Sequence, residues 1–271
     1  MPQNMLDRIA LGGIVSVRDR LLELQAKGRK VYRLESGDPS FSIPAHVKEA
    51  MERALEAGQT HYTAGTGIKP LREAILRKLV EQNRIPVAGA DRVFVTNGAM
   101  HGLYVTFRAL LEPGDEVVVP DPTWTETFDN VTLAGGVPVH APLDPARGYR
   151  WEPEAIEAAI TPRTRALVVN SPHNPTGLVL SREELRSLLK VAERHGLWVV
   201  SDEAYEHVLF DGLEHVSAGS LGYPKVVSVF STSKSYAMSG LRVGYLSCND
   251  DRVAERLSKL LRCTIHWAAV V

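Results

Sequence analysis

From about residue 90 the chain alternates short apolar runs with longer stretches in which apolar residues recur at helical spacing. This alternation predicts a mostly parallel sheet that is covered by helices. Because the apolar runs are nearly continuous, we expect the strands to be buried on both faces. The predicted strands are Arg92–Thr96, Glu116–Pro120, Val137–Ala141, Arg165–Asn170, Leu197–Asp202, Lys225–Ser231 and Arg242–Cys248.

Helix signals lie between these strands and before them. The clearest predicted helix is Ser181–His195, which opens with a Ser-x-x-Glu capping box and stops at Gly196. A second one, Met100–Leu111, is ended by a Pro-Gly pair shortly afterwards. In the first part of the chain, Leu11–Gly28 and Pro44–Gly58 have helical spacing. The pattern therefore predicts an α/β domain that is preceded by a mainly helical segment.

The last predicted helix, Asp250–Val271, reaches the end of the sequence without a Gly or Pro stop. Because natural helices usually end on such a signal, we expect the chain to be a fragment of a longer one. Apolar residues near this end, including Trp267, are expected to need a covering segment.

Composition narrows the class of protein. The 271 residues are 44% hydrophobic and 23% charged, which is typical of a soluble globular protein. A net charge of −1 gives no excess that would favour nucleic acid or an anionic membrane. Cys248 and Cys263 form no CxxC pair, the nine histidines are scattered, and the N-terminus lacks a signal-peptide pattern. We therefore expect a cytoplasmic protein with no metal site, nucleic-acid partner or membrane span.

The segment after the strand Lys225–Ser231 is the richest in candidate chemistry. The hydroxyls of Ser231 and Ser233 and the guanidinium of Arg242 could together hold a phosphate. If Lys234 is shielded from water beside these groups, its pKa could be lowered and its amine could act as a nucleophile. The alternative is an ordinary solvated lysine at the surface.

Two other strand ends carry polar groups. Asp202 closes the strand Leu197–Asp202, and a carboxylate there could pair with the protonated ring nitrogen of a pyridine cofactor. Tyr205 could reach a hydroxyl on the same ring. Asn174 lies in an Asn-Pro-Thr-Gly turn that could hold its amide ready to donate to an oxyanion. The alternatives are an aspartate that binds loop amides and a turn without further function.

A strand-to-helix junction supplies the remaining candidates. The backbone amides of Gly98, Ala99 and Met100 lie at this junction, where free N–H groups suit a phosphate. Trp124, after the second strand, could stack on a flat ring. The alternatives are an ordinary strand-to-helix turn and a tryptophan that packs in the core.

Taken together, these motifs resemble the class I/II aminotransferase family of fold-type I enzymes, which use pyridoxal 5′-phosphate (PLP). The family pattern Ser-x-Ser-Lys-x5-Gly-x-Arg-x-Gly is matched from Ser231 to Gly244. Its Asn-Pro-x-Gly and Asp-x-x-Tyr motifs are matched at Asn174 and Asp202, in the family's order. The resemblance implies a mostly parallel, mixed seven-stranded sheet sandwiched by helices, with a partial small domain.

The resemblance also implies a role for each candidate residue. Lys234 would carry PLP as a Schiff base and move the proton at the substrate Cα, and Asp202 would keep the pyridine nitrogen protonated. Gly37 and Asn174 would line the substrate site, and Tyr62 would reach the phosphate of the neighbouring subunit in a homodimer. The other implied cofactor contacts are Tyr205, Asn174 and Trp124 at the ring, and Gly98, Ala99, Met100, Ser231, Ser233 and Arg242 at the phosphate.

The sequence departs from the family pattern in two places. Ala99-Met100 replaces a small or hydroxylated pair, so we expect the backbone contacts to persist without a side-chain hydroxyl. The family also continues past residue 271 with the arginine that binds the substrate carboxylate. We therefore expect residues 1–45 to form an N-terminal arm and partial small domain. Residues 46–271 would then form a large PLP-binding domain that is incomplete at its C-terminal end, with little transamination by this chain alone.

Three functions stay open at this point. The leading one is an aminotransferase that moves an amino group between an L-amino acid and a 2-oxo acid. A PLP-dependent C–S lyase would use the same motifs, but it would release ammonia and pyruvate without a 2-oxo acid acceptor. A non-catalytic PLP-binding module is the third, although the sequence carries no basic helix-turn-helix segment. The motifs do not identify the amino donor or the acceptor.

Overall fold

The computed structural model describes residues 5–9 and 13–265, in which helices cover both faces of one seven-stranded sheet. The strands are β1 Val93–Asn97, β2 Glu116–Asp121, β3 Val137–Pro142, β4 Thr164–Asn170, β5 Trp198–Asp202, β6 Val226–Ser231 and β7 Val243–Ser247. The helices are α1 Gly13–Ala26, α2 Ala45–Glu56, α3 Lys69–Glu81, α4 Gly98–Leu110, α5 Glu126–Leu133, α6 Pro153–Ala158, α7 Arg182–Arg194 and α8 Asp251–Thr264.

The sheet is mixed and mostly parallel, which confirms the predicted fold class. Its strand order is β1-β7-β6-β5-β4-β2-β3, and β7 runs antiparallel to both of its neighbours. The other neighbouring strands pair in parallel. Every predicted strand is present, and its ends differ from the prediction by one residue at most.

The core lies on both faces of the sheet, as the continuous apolar runs predict. Val117 and Val119 of β2 pack in a cluster that includes residues of α4, α5 and α8, whereas Val118 packs with α6 and α7. A third cluster joins α3 to β1, β6 and β7. Each buried aliphatic side chain contributes roughly 1.5–3 kcal/mol, so the central strands are the main source of stability.

The helix predictions hold where the end signals are strong. In the capping box of α7, Ser181 Oγ accepts from the Glu184 backbone N–H at 3.2 Å, and Glu184 Oε2 accepts from the Ser181 N–H at 2.8 Å. Gly196, with φ of +64°, then ends the helix in a left-handed conformation that favours glycine. Helices α1 and α2 lie within their predicted ranges, and α4 begins two residues earlier than predicted.

The last predicted helix is confirmed in its first part. Asp250 caps α8 by accepting from the Val253 N–H at 2.8 Å, and the helix ends at Thr264. Ile265, which was predicted to be helical, lies just after the helix, and residues 266–271, including Trp267, lie outside the described residues. Helices α3, α5 and α6 were not individually predicted; α5 and α6 have eight and six residues, which gives little room for a helical period.

Candidate active site

Most polar residues singled out by the sequence lie at one edge of the sheet. The parallel strands end there, and the reversed strand β7 begins there. The strand register pairs Asn170 with Asp202, Ser231 with Gly244, and Asn97 with Val243. Open α/β sheets bind their ligands at this edge.

Two asparagines connect the end of β4 to the turn that follows β5. Asn170 Nδ2 donates to the backbone oxygen of Asp202 at 3.0 Å, and Asn170 Oδ1 accepts from the Asn174 N–H at 2.8 Å. Asn174 Nδ2 in turn donates to the Tyr205 hydroxyl at 3.2 Å. The structure therefore brings Asn174, Asp202 and Tyr205 together, although they come from two separate motifs.

Asp202 is a partly buried carboxylate with limited hydrogen bonding. Its Oδ1 accepts from the Ala204 N–H at 3.1 Å. Burial raises the pKa of the Asp202 carboxyl to about 6; the Ala204 N–H lowers it, and the negative charge of Glu203 raises it. Because an adjacent cation stabilises such a carboxylate, this position favours a ligand with positive charge. Burial also raises the pKa of Tyr205, so its hydroxyl stays protonated at neutral pH.

Lys234 lies in the loop between β6 and β7 and reaches across to the N-terminal segment. Its Nζ donates to the Gly37 carbonyl at 2.9 Å and lies 5.8 Å from the centre of the Tyr205 ring. Burial lowers the pKa of Lys234, the charge of Asp38 raises it, and the charge of Arg242 lowers it. Lys234 is therefore not the fully solvated lysine that the sequence left as an alternative. Its lowered pKa suits an amine nucleophile or base.

Gly98 and Gly244 allow the Arg242 guanidinium and the neighbouring strand β7 to lie close to the start of α4. Gly98 has φ of +79°, and a Cβ at this residue would lie 2.3 Å from Arg242 Nη2. A Cβ on Gly244 would lie 2.6 Å from the Ala99 nitrogen. Arg242 itself has φ of +57°, and its Nη1 donates to the Ser239 carbonyl at 2.9 Å. Side chains larger than hydrogen would push the guanidinium and the α4 amides apart.

The same region gathers several hydrogen-bond donors. Asn97 precedes α4 without a side-chain cap, so the first amides of that helix, over residues 98–100, have no capping acceptor. Ser231 and Ser233 are buried beside them, and Ser231 Oγ accepts from the Ser233 N–H at 3.1 Å. Helix-start N–H groups, hydroxyls and a guanidinium are the donors that bind phosphate groups.

Three predicted site residues are less closely tied to this cluster. Trp124 is partly buried in the loop that follows β2. The Met100 sulfur faces α5, where Asn130 Nδ2 lies 4.0 Å away, so Met100 offers the site only its backbone. Tyr62, between α2 and α3, is 80% exposed.

The structure also adds residues that were not predicted to belong to the site. Ser239 donates to Asp38 Oδ1, which ties the segment around Gly37 to the loop that carries Lys234. This contact spans 201 residues of sequence, and no local pattern signals it. Asn170 could have been found, because it closes an apolar run just as Asp202 does.

Other kinds of site find no support among the described residues. No helix in residues 5–9 and 13–265 is long and apolar enough to cross a membrane. Within the same ranges, no group of three or more His, Cys, Asp or Glu side chains is arranged to hold a metal ion. Cys248 and Cys263 are both free thiols.

A seven-stranded sheet with one reversed strand, and a lysine, an aspartate and phosphate donors at its carboxyl edge, is the architecture of fold-type I PLP-dependent proteins. The sequence profile described as aminotransferase class I and II matches residues 29–269. The chain belongs to this family.

Similar proteins and a similar solved structure support this family membership. A probable aspartate/prephenate aminotransferase from Thermus aquaticus is 43% identical over 90% of this chain, and the chain covers 63% of that relative. The Thermus thermophilus aspartate/prephenate aminotransferase is 42% identical over 91% of this chain, and the chain covers 63% of that relative. The solved structure of Thermus thermophilus aspartate aminotransferase with maleate aligns with a TM-score of 0.94 and 38% identity, over 100% of this chain and 70% of that one. The chain thus spans less than two thirds of the length of these two curated relatives.

PLP is the cofactor of this family, and the residues present fit it. The phosphate donors around the start of α4 match its phosphate group, and the lack of a side chain at Gly98 and Gly244 lets the Arg242 guanidinium and the first amides of α4 lie close together there. Asp202, with its raised pKa, matches a protonated ring nitrogen. Lys234 is an amine with lowered pKa near the same groups, as covalent attachment to an aldehyde requires.

Proposed function

We propose that this protein is a PLP-dependent aminotransferase that moves an amino group between an L-amino acid and a 2-oxo acid, with Lys234 as the Schiff-base lysine. The observation that carries the proposal is the position of the Lys234 amine, 5.8 Å from the ring of Tyr205 and close to Asp38 and Arg242. A covalent attachment point, a partner for the ring nitrogen and a phosphate site are thus combined at one sheet edge.

Each polar group has a defined task in this proposal. PLP, when bound, supplies an electron sink that stabilises negative charge at the substrate Cα. Asp202 holds a proton on the pyridine nitrogen, and Asn174 and Tyr205 hydrogen-bond the ring oxygen. Trp124 covers the ring face. The phosphate is held by Ser231, Ser233, Arg242 and the backbone amides of Gly98, Ala99 and Met100.

Lys234 is also the group that moves the proton at the substrate Cα. Its lowered pKa leaves a larger fraction of the amine unprotonated at neutral pH, which favours a general base. The hydrogen bond to the Gly37 carbonyl places Nζ on the side where we propose that the substrate lies. A Cβ on Gly37 would be 3.6 Å from Nζ, so this residue leaves room beside the amine.

For the substrates, we propose L-aspartate as the amino donor and a dicarboxylic 2-oxo acid as the acceptor. The support is that the relatives compared above are named aspartate or aspartate/prephenate aminotransferases. No feature of the described residues favours the C–S lyase over transamination.

We further propose the domain division and the assembly that the family resemblance implies. Residues 1–45 would form an N-terminal arm and partial small domain, and residues 46–271 the large PLP-binding domain. In support, α2 carries no buried residue, so its surface is available to other parts of an assembly. Tyr62 is 80% exposed, which is in keeping with a homodimer in which this residue reaches the neighbouring phosphate site.

The test is an incubation of the purified, PLP-loaded protein with L-aspartate, with and without 2-oxoglutarate. An aminotransferase produces oxaloacetate and glutamate together, and multiple turnovers require the acceptor. Release of ammonia and pyruvate from cysteine or cystathionine without any acceptor would instead identify a lyase. PLP binding with neither reaction, over a panel of donors and also in a longer chain that spans the full length of the relatives, would favour the non-catalytic module.

A further inference from the structure

Two buried glutamates alternate with the proposed site residues in the turn that follows β5. Glu203 follows Asp202 directly, and Glu206 follows Tyr205. Glu203 is 1% exposed and Glu206 is 5% exposed. Carboxylates buried this deeply are costly unless they are paired and hydrogen-bonded, so their partners determine how the turn is held.

Glu206 pairs with helix α3. The Lys78 ammonium donates to both Glu206 oxygens at 2.5 Å, and Asn83 Nδ2 donates to Oε2 at 2.8 Å. Burial lowers the pKa of Lys78, while the charge of Glu206 raises it. The same ammonium lies 4.5 Å from the ring centre of Phe230 and 5.7 Å from that of Tyr245. Lys78 therefore contacts both the turn and the two strands that flank the Lys234 loop.

Glu203 is bound by a second set of groups that joins the first. Ser201 donates to Glu203 Oε1 at 3.0 Å, and Ser217 donates to Oε2 at 2.5 Å. His215 Nε2 lies 2.8 Å from the same Oε2 atom. Asn83 Nδ2 also donates to Ser217 Oγ at 3.0 Å, which makes the two sets one continuous network.

We propose that Glu206 and Lys78 are positioning residues that fix the direction in which Asp202 and Tyr205 point toward the cofactor. The inference rests on the proposed function for the identity of the ligand. Within the turn, the Glu206 N–H donates to the Glu203 carbonyl at 3.1 Å. The Glu203 N–H donates to the Val229 carbonyl of β6 at 2.8 Å. With the side chains of Glu203 and Glu206 bound to the network, those of Asp202 and Tyr205, which alternate with them, are left to face the site.

Glu206→Gln tests the proposal because it keeps the shape of the side chain and removes its charge. We expect amide exchange of residues 202–206 in the cofactor-free protein to accelerate at least about tenfold, since the turn loses its anchor. We also expect weaker PLP binding, by roughly tenfold, which is the lower end of what replacing an orienting residue costs at metal sites. The induced circular dichroism per bound PLP should change as well, because it reports cofactor orientation.

The matched control is Glu116→Gln. Glu116 is 4% exposed and accepts from Thr161 and Arg163, but it lies at the opposite end of the sheet. This substitution should lower the free energy of unfolding. It should leave amide exchange at residues 202–206, PLP affinity and the induced circular dichroism unchanged. If Glu206→Gln unfolds because Lys78 is left unpaired, the double variant Lys78→Met/Glu206→Gln replaces it and should show the same three effects.

The outcomes separate this inference from the proposed function. If the wild-type protein binds no PLP, the proposed function fails, and the exchange measurement still decides whether the network fixes the turn. If Glu206→Gln or the double variant matches wild type in exchange and within twofold in PLP affinity, the positioning role is wrong. Equal effects from Glu116→Gln would likewise overturn it, because they would reduce the role to general stability.

Discussion

Asp202 and Glu116 are carboxylates of the same sheet that lie at opposite ends of its strands. At the start of β2, Glu116 accepts from Thr161 and Arg163, and these partners lower its pKa although the side chain is buried. At the end of β5, Asp202 accepts from the Ala204 N–H, and burial raises its pKa to about 6. The first carboxylate is matched by hydrogen-bond donors and a guanidinium of the protein itself, whereas the second accepts from a backbone N–H and forms no ion pair with another described residue.

The difference indicates how one fold separates stability from function. Glu116 contributes to stability because its charge is matched by hydrogen bonds and by a guanidinium. Asp202 costs stability in the free protein because it is ionised without a matching cation at neutral pH. Perturbed carboxylates of the second kind cluster at functional sites, and the lysine and phosphate donors beside Asp202 fit that interpretation.

The largest effect should come from Lys234, which supplies the proposed reactive amine at the same end of the sheet as Asp202. Borohydride reduction of the PLP-loaded protein followed by peptide mapping should place the pyridoxyl group on Lys234. Lys234→Ala should abolish this label and reduce transamination by at least about 10²–10⁴-fold, the usual contribution of a general acid–base. Lys225→Ala, which removes an exposed lysine before β6, is the control and should keep both. Labelling mainly at another lysine would show that the assignment is wrong.

Asp202→Asn should have the next largest effect. The amide preserves the shape of the side chain but cannot match the positive charge of a protonated ring nitrogen. We expect the rate of Cα deprotonation, measured by loss of deuterium from Cα-labelled aspartate, to fall by roughly 10²–10³-fold. PLP binding should largely persist, because the phosphate donors are unchanged. A loss of less than tenfold would mean that the carboxylate is structural.

The stability of the cofactor-free protein provides a direct test of this contrast. Replacing the two carboxylates by amides should change the free energy of unfolding in opposite directions. The pKa of Asp202 is higher in the folded state than in the unfolded one, so its ionisation penalty is absent below about pH 4 and complete above pH 6. Without PLP, Asp202→Asn should therefore be more stable than wild type at pH 7.5, by up to about 3 kcal/mol. Urea unfolding should show this gain and its disappearance near pH 4.

Glu116→Gln should do the reverse in the same experiment. The pKa of Glu116 is lowered, so its contribution is present at neutral pH and is lost as the pH falls through the pKa of the folded state. The variant should be less stable than wild type at pH 7.5, and the difference should shrink in acid. Changes of the same sign for both variants would remove the contrast between the two ends.

Tyr205→Phe should have the smallest effect of the series. The change removes the hydroxyl that accepts from Asn174 Nδ2 and leaves the aromatic ring in place. In the proposed function the same hydroxyl also hydrogen-bonds the cofactor ring oxygen, and a single hydrogen bond is worth about 0.5–1.5 kcal/mol, so PLP affinity should fall by roughly 2- to 12-fold. Fluorescence titration with PLP measures the change. Asn174→Ala should act through the same contact, so the two effects should not add fully in the double variant.

The parts of the fold and of the candidate site that the sequence predicts are those whose sequence signal lies within a few neighbouring residues. The seven strands were predicted because each is a continuous apolar run, and the α7 capping box because both of its residues lie within one turn. Asp202 is a candidate because it closes such a run, and Lys234 because it follows one within three residues; their roles stay predictions. The Lys78–Glu206 pair joins residues 128 apart, and the Ser239–Asp38 contact joins residues 201 apart. Only the folded chain brings these pairs together, and no periodicity or motif records them.

The reversed direction of β7 limits how the loop after β6 can vary in length. Ser231 and Gly244 are paired in register, and the Thr232 N–H donates to the Val243 carbonyl at 3.2 Å, so the loop between them is closed at its base. Lys234 and Arg242 both lie in this closed loop. Exposed loops elsewhere can lengthen at little thermodynamic cost. An insertion between Lys234 and Arg242, however, would change the spacing between amine and guanidinium, so we expect this loop to tolerate insertions less well than exposed loops do.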